Sequence, residues 1–237
     1  MHTCAERAYG DGAVRSFGLT LCGGSAFRYN TARRSPMVLR TKPQRKEEKD
    51  RTREELLRAA LRLGEAHGFA GLGLREVARE AQIAPTSFYR HFEDMQALGL
   101  SIIRDKAEPF LLGWTAPHAD SAGDEAGLVE AWTSAMFQSV DGDPELTRFV
   151  LAERVGSSGP LRAALRDACS QLDASVLRAL SISKRTRPLL DAAEFVSVVL
   201  LDAAGRLLDT TAAGRAGLRQ RTLQRLELAT AAVHNLA

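Results

Sequence analysis

The stretch LREVAREAQIAPTSFYRHF, residues 74–92, constrains the fold of this chain more than any other segment. It holds two short apolar-periodic runs with only residues 82–84 between them. Pro85 suits the first position of the second helix, because its missing N–H costs nothing there. Phe88 and Phe92 stand four residues apart, so both face the same side of that helix. A turn this short sets two helices at a steep angle, and the segment therefore predicts a helix-turn-helix.

The polar side chains of the second helix remain on the surface once its two phenylalanines face the core. They are Thr86, Ser87, Tyr89, Arg90 and His91. Hydroxyl and guanidinium groups donate hydrogen bonds to phosphates and base edges, and an α-helix fits the major groove of B-DNA. We therefore predict a DNA-binding motif over residues 73–92. An ordinary helical hairpin with a solvated polar face is the alternative that the residues leave open.

Charge is distributed unevenly along the chain, although the net charge of its 237 residues is only +3. Residues 1–53 contain twelve Lys and Arg against five Asp and Glu, whereas the remainder contains twenty against twenty-four. The basic residues nearest the motif are Arg40, Lys42, Arg45, Lys46, Lys49, Arg51 and Arg53. Such groups release counterions when they contact phosphates, so the pattern favours an anionic partner. A solvated basic tail would give the same pattern without a partner.

Helical signals flank the motif on both sides. Thr52 and Glu55 have capping-box spacing before LLRAALRL, and this spacing predicts the start of a helix. After the motif, Asp94 is a good N-cap for a further helix, which Pro109 should kink or end early. The predicted helices of this part cover about 46–66, 74–81 and 95–112, with a short helix from Pro85 between the last two.

The rest of the chain also predicts helices alone, because aromatic residues make up only 6% of the sequence and strand-favouring patterns are absent. Asp143, Pro144 and Glu145 resemble a cap, a first position and an acidic first turn. The helix over 189–210 is apolar around much of its circumference, which places it in the core or in a subunit interface. The predicted helices cover about 128–140, 144–155, 160–181, 189–210 and 215–235.

Several classes of protein are excluded by what the sequence lacks. No apolar run approaches the roughly 18 residues that span a bilayer, and FGLTLCGG is too short for a secretory signal, so the cytoplasm is the expected compartment. Three cysteines without a CxxC pair, and histidines without ligand spacing, predict neither a disulfide framework nor a metal site. No nucleophile and carboxylate accompany His91, so we expect no enzyme and no cofactor. Cys169 is predicted to be a core residue rather than a redox sensor.

The motif and its surroundings also resemble a known family. LREVAREAQIAPTSFYRHFEDM closely resembles the DNA-binding domain of TetR-family transcriptional regulators. APTSFYRHF, followed by LGL at 98–100, is similar to the fatty-acid-biosynthesis repressor branch (FabR and DesT). RFVLAERVGSSGPLRAAL, residues 148–165, resembles the ligand domain of that branch. The resemblance covers 45–237. It does not reach residues 1–41, which lack periodicity and are expected to be a disordered tail, with Met37 a candidate for the true start.

The resemblance implies an all-α homodimer with two domains. Residues 42–108 would form a three-helix DNA-binding domain with its helix-turn-helix and connecting helix. Residues 109–237 would form a helical ligand-binding and dimerisation domain, whose last two helices pair with those of the partner. By motif position, Thr86, Ser87, Tyr89, Arg90 and His91 would face DNA, and Thr52 and Arg53 would meet phosphate.

The implied function is a sequence-specific repressor of the TetR type that binds palindromic double-stranded DNA. Its targets would be fatty-acid or lipid genes, and its effector a long-chain acyl-CoA or acyl-ACP. The middle helices offer candidates for the lining of an effector pocket, although core packing explains any one of them as well: Trp132, Met136, Phe149 and Arg148. The competing hypothesis is a dimeric acyl-chain-binding or adaptor module that does not bind DNA.

Three residues depart from the family pattern. Gly73 stands where Ser or Thr usually caps the second helix, at a cost of a few tenths of a kcal/mol. Gln82 stands where a turn glycine is usual and is strained by about 1 kcal/mol if the site needs a positive φ. Met95 replaces a common lysine and removes one phosphate contact. Together these departures predict weaker nonspecific affinity for DNA.

Overall fold

The computed structural model describes residues 42–115, 125–183 and 186–237. Within these ranges every regular element is a helix, so the predicted all-α class is confirmed. The predicted tail, residues 1–41, lies outside the described residues, as does most of the predicted loop after residue 115.

The N-terminal part builds a small core from three helices and the start of a connecting helix. Its helices are α1 (Lys42–His67), α2 (Leu74–Glu80), α3 (Pro85–Phe88), α4 (Met95–Ile102) and α5 (Glu108–Leu112). A 3-10 turn at Phe69–Gly71 joins α1 to α2. The core side chains are those predicted from helical spacing, and they are fully or almost fully buried: Leu57, Ala60, Leu61, Val77, Ala78, Phe88 and Phe92.

The start of α1 differs from the prediction. The helix begins at Lys42, so Thr52 lies well inside it, and its hydroxyl donates to the carbonyl oxygen of Glu48 at 2.9 Å. The predicted capping box at Thr52 and Glu55 is therefore wrong. Glu55 instead pairs with Arg51 one turn earlier (Nε–Oε1, 2.9 Å), and such i,i+4 pairs support a solvent-exposed helical extension. Threonine satisfies its hydroxyl inside a helix by bonding back to the preceding turn.

The connecting helix begins as predicted, but it continues past Pro109 with a local change of helix type. The carboxylate of Asp94 accepts a hydrogen bond from the backbone N–H of Ala97 at 2.7 Å and caps α4. Pro109 does not end the helix. A π-helical turn at Ile103–Ala107 precedes α5, which continues to Leu112. A change to wider turns is a common response where an i→i−4 hydrogen bond is missing.

The C-terminal part contains five longer helices. They are α6 (Glu125–Gly142), α7 (Pro144–Glu153), α8 (Gly159–Ala179), α9 (Arg187–Asp209) and α10 (Arg215–Leu236). Asp143 caps α7, because its carboxylate accepts from the backbone N–H of Leu146 at 3.0 Å, and Pro144 occupies the first turn as predicted. Within the described ranges, no helix has the length and apolarity needed to cross a bilayer.

α9 occupies the centre of this part. It packs against α8 on one side, α10 on another, and α6 and α7 as well. Its buried face includes Val196, Leu200 and Ala204, whereas Phe195 and Val198 on the other face are exposed. Some apolar residues of the predicted helix over 189–210 are thus buried in the core, and others form an exposed apolar surface.

Candidate nucleic-acid interface

The turn between α2 and α3 has the hydrogen bonds of a Schellman motif. The N–H of Ile83 donates to the carbonyl of Ala78 at 2.9 Å, and the N–H of Gln82 donates to that of Arg79 at 3.0 Å. This closure needs one residue in the left-handed region, and Gln82 adopts it with a φ of 57°. The strain expected at Gln82 is therefore present, because the site that favours glycine carries a Cβ.

Replacing Gln82 with glycine should raise the free energy of unfolding by about 0.5–1 kcal/mol, because relief of left-handed strain exceeds the extra chain entropy of glycine. Thermal or urea unfolding measures this difference. Gln82→Ala is the matched control, since alanine keeps the Cβ and should leave stability nearly unchanged. Equal stability of the glycine and alanine variants would contradict the strain.

The side chains of the second motif helix lie partly in the core and partly on the surface, as predicted. Pro85 occupies its first turn, and Phe88 is fully buried with its ring centroid 5.7 Å from that of Phe92. Tyr89, the next residue, is 64% exposed. The remaining predicted DNA-facing side chains are exposed or half-buried: Thr86, Ser87, Arg90 and His91. The surface is therefore polar and positively charged, with hydroxyl, guanidinium and imidazole groups next to one another.

The setting of His91 disfavours its protonated form. Burial lowers the pKa of its imidazole, and the positive charges of Lys49, Arg53 and Arg90 lower it further. Its Nδ1 atom is buried and has no hydrogen-bond partner within the described residues. The three cations that act on His91 come from α1 and from the end of the motif, so positive charge converges on this end of the surface.

Thr52 and Arg53 lie on α1 beside this surface but already have intramolecular partners. Arg53 donates to the Asp105 carboxylate at 2.5 Å, and its guanidinium carbon lies 5.2 Å from the centre of the Phe92 ring. Partial burial opposes ionisation of Asp105, but hydrogen bonds from Arg104 and Arg53 hold the pKa of its carboxyl below its usual range. Arg53 thus fastens α1 to the connecting helix, and its contact with phosphate stays a prediction.

The other two departures from the family pattern have simple structural settings. Gly73 is the N-cap of α2 with extended backbone (φ −95°, ψ 141°) and supplies no side-chain cap. A Cβ at this position would meet no atom within 4 Å, so the space for a serine or threonine is open. Met95 is half-buried and packs against the core, which explains an apolar residue at that site.

The residues predicted to line an effector pocket lie in two different settings. Trp132 and Met136 on α6 are completely buried, and the indole N–H of Trp132 has no hydrogen-bond partner within the described residues. Phe149 and Arg148 face the N-terminal part instead. The Phe149 ring makes an edge-to-face contact with Phe69 (centroids 5.5 Å apart), and Arg148 Nη1 pairs with Glu65 Oε1 at 2.9 Å.

A cavity that the sequence analysis missed lies between α7, α8 and α9. Its volume is about 320 Å³, and eight of its twelve lining side chains are charged or carry a hydroxyl or thiol group. Cys169, predicted to be a core residue, is half-buried and lines this cavity, where burial raises the pKa of its thiol. A sequence signal was present, since Arg162 and Arg166 are like charges at i,i+4 spacing on the largely amphipathic helix α8.

The comparison with protein families identifies the N-terminal part. Residues 56–102 match the family described as "Bacterial regulatory proteins, tetR family". The matched segment runs from α1 through the helix-turn-helix to the end of α4, so it contains the motif and its core. The match favours a DNA-binding regulator over the alternative module without DNA binding.

Solved structures of TetR-family regulators share the fold of most of the chain. A TetR-family transcriptional regulator of Streptomyces coelicolor superposes with a TM-score of 0.63 at 17% identity, covering 79% of this chain and 84% of that one. A TetR family transcription regulator of Marinobacter aquaeolei gives 0.57 at 16%, covering 79% and 97%. The transcriptional regulator FadR of Bacillus subtilis, in complex with stearoyl-CoA, gives 0.57 at 15%, covering 74% and 96%. At these identities the likeness concerns the fold.

Proposed function

We propose that this chain, a DNA-binding transcriptional regulator of the TetR type, is a homodimeric repressor of a palindromic operator. Binding of a small effector would raise or lower its affinity for that operator. The observation that carries the proposal is the division of the second motif helix. Phe88 and Phe92 anchor it to the core while Tyr89 and Arg90 point outward at high exposure. Two such helices in one dimer would enter successive major grooves of a palindrome.

Exposed apolar side chains on the last two helices support the dimer. Leu190 and Phe195 on α9 and Leu228 on α10 are all more than a third exposed. Water contact with this much apolar surface is unfavourable, and a face-to-face pairing of α9 and α10 with their partner copies would remove it. The surface is the one expected for a four-helix interface.

The contacts of α7 support a route from effector to DNA. Phe149 and Arg148 on this helix contact Phe69 and Glu65 of the N-terminal part, while Leu151 on the same helix lines the cavity next to α8. A ligand that moved α7 would therefore shift the N-terminal part and with it the spacing of the two recognition helices in the dimer. This is population shift through a packed helix that contacts both the cavity and the N-terminal part.

A long-chain acyl thioester is the effector class we favour. Lipid-metabolism genes are the proposed targets, and the cytoplasm is the proposed location of the protein. The similar fold of the Bacillus subtilis FadR, which was crystallised with stearoyl-CoA, supports this class. The resemblance to the FabR and DesT branch points the same way. Buried apolar groups on α6, among them Trp132 and Met136, would suit an acyl chain.

Binding to the DNA upstream of the gene for this chain tests the function. Fluorescence anisotropy should give a sequence-selective complex whose affinity falls steeply between about 50 and 200 mM salt. Arg90→Ala should weaken that complex by about 1–3 kcal/mol and relax its sequence preference if Arg90 reads a base. Arg178→Ala, an exposed residue on α8, is the control and should change neither. A complex without salt dependence or selectivity would refute the repressor.

A further inference from the structure

We propose that the cavity between α7, α8 and α9 binds the phosphate-bearing polar part of the effector, with a hydrogen-bond donor of that ligand seated on Asp173 and Ser197. The proposal depends on the effector-responsive function proposed above and names the ligand chemistry of one site in it. At about 320 Å³ the cavity is within the size range of small-molecule sites and holds a polar fragment rather than a whole long-chain thioester.

Three arginines give one side of the cavity its chemistry. Arg154, Arg162 and Arg166 all line it. Arg154 lies beside the Cys169 thiol, to which it donates a hydrogen bond, and its charge also acts on Asp173. Arg162 donates to the backbone carbonyl of Gly156, which leaves most of its donors free. Guanidinium groups bind phosphate and carboxylate through paired hydrogen bonds, and three of them together favour a group with more than one negative charge.

Further along α8 and on α9, the cavity lining also holds polar atoms without well-formed hydrogen bonds. Ser197 is only 2% exposed and lines the cavity. Its hydroxyl approaches the Asp173 carboxyl, but neither its Oγ nor Asp173 Oδ1 has a partner with full hydrogen-bond geometry. A buried polar atom without a partner costs about 1–3 kcal/mol, so structures rarely leave one without a reason. Burial raises the pKa of Asp173, the nearby Ser197 hydroxyl partly opposes this, and the charge of Glu194 adds to it. A ligand N–H or O–H would satisfy these atoms.

The apolar share of the lining is too small for an acyl chain to be the occupant. Only four of the twelve lining side chains are aliphatic: Leu151, Val155, Val198 and Leu201. A hydrocarbon tail here would lie against arginines and carboxylates and would strip their water without replacing it. An acyl thioester would thus place its phosphates and amides in this cavity and its chain elsewhere. A free phosphorylated metabolite has the same head-group chemistry, and the two sources can be distinguished.

Protection of Cys169 from alkylation provides the test, because this thiol lines the cavity and its peptide can be followed by mass spectrometry. The probes are coenzyme A, stearoyl-CoA, stearate and inorganic phosphate, each added to the full chain. We expect coenzyme A and stearoyl-CoA to slow alkylation about tenfold at ten times their Kd, and stearate to have no effect. Protection by inorganic phosphate at the same level as coenzyme A would support the anion site and assign it to a smaller ligand.

Two variants tie the protection to the proposed groups. Arg162→Gln with Arg166→Gln should raise the Kd for coenzyme A about tenfold or more, whereas Arg178→Gln should not. Ser197→Ala should weaken protection while raising the melting temperature of the unliganded chain, since it removes an unpaired hydroxyl. If Ser197 had only a structural role, Ser197→Ala would change the protection of Cys169 and the melting temperature in the same direction.

The proposal is overturned if no phosphate-bearing probe protects Cys169, if stearate alone protects as well as stearoyl-CoA, or if the double arginine variant behaves like Arg178→Gln. Binding of unliganded protein to its upstream DNA is measured alongside. Loss of DNA binding in the parent chain would refute the repressor, whereas intact DNA binding without protection would refute the cavity proposal alone.

Discussion

The Phe88→Ala variant is expected to lose about 3–5 kcal/mol of unfolding free energy and, with it, all DNA binding near physiological temperature. Phe88 is completely buried, and its ring lies between those of Tyr89 and Phe92 at centroid distances of 5.9 and 5.7 Å. The three-helix core is small, and α3 has only four residues of regular helix. Because a helix this short has almost no stability of its own, loss of its anchor should release the recognition segment.

Tyr89→Phe is the matched control for Phe88→Ala, since it alters the neighbouring residue without removing a ring. Tyr89 is 64% exposed, so loss of its hydroxyl should leave the melting temperature unchanged. If that hydroxyl donates to a phosphate, DNA affinity should fall by about 1–2 kcal/mol, equally for specific and nonspecific sequences. Circular dichroism and anisotropy on both variants separate the two roles. A Phe88→Ala protein with normal stability would show that the motif does not depend on this core.

Local signals explain why most helix boundaries could be predicted from the sequence. Asp94 and Asp143 each cap a helix through a hydrogen bond to an N–H three residues on, which depends on nothing distant. α9 was predicted over 189–210 and runs from Arg187 to Asp209 because its apolar pattern is strong and its flanks are polar. The left-handed backbone at Gln82 was indicated only by the family resemblance, in which a turn glycine is usual at this position.

Features set by several elements at once could not be read from local pattern. The helix α1 extends N-terminal to Thr52, whose hydroxyl bonds back to the Glu48 carbonyl inside the helix, so the local capping-box signal is overridden. The cavity draws its groups from three helices that are distant in sequence, and Asp173 and Ser197 have no motif in common. Arg53 was assigned to phosphate by position, but the structure gives it Asp105, a residue of the connecting helix, as a partner.

Phe69 is one of the residues through which the N-terminal part contacts the helical body. This residue is 7% exposed, and its ring meets the edge of Phe149 on α7 at an interplanar angle of 82°. α4 approaches the ring so closely that a Cβ at Gly99 would lie 2.7 Å from it. The carboxyl of Glu153, also on α7, accepts a hydrogen bond from the Phe69 backbone, and burial raises the pKa of this group despite that bond. Helices from both parts thus converge on one aromatic ring.

Phe69→Ala should therefore cost about 3–5 kcal/mol of unfolding free energy, and it should also weaken the effect of any effector on DNA affinity. The loss has two parts: the buried ring itself and the contact through which α7 touches the N-terminal part. Phe69→Leu fills most of the same space and is the control, with an expected cost of only about 1–1.5 kcal/mol. Urea unfolding gives the free energies, and hydrogen exchange shows whether α2 and α3 lose protection before α8 and α9.

A double-mutant cycle with Gly99 makes this expectation specific. Gly99→Ala alone should destabilise, because the new methyl group overlaps the Phe69 ring and lies 3.0 Å from Leu161 Cδ2. In the Phe69→Ala background the ring is gone, so the same change should stabilise by up to about 1 kcal/mol through the better helix propensity of alanine. A coupling energy of about 1–3 kcal/mol between the two sites is the expected result. If the two substitutions are additive, α4 does not press on the Phe69 ring.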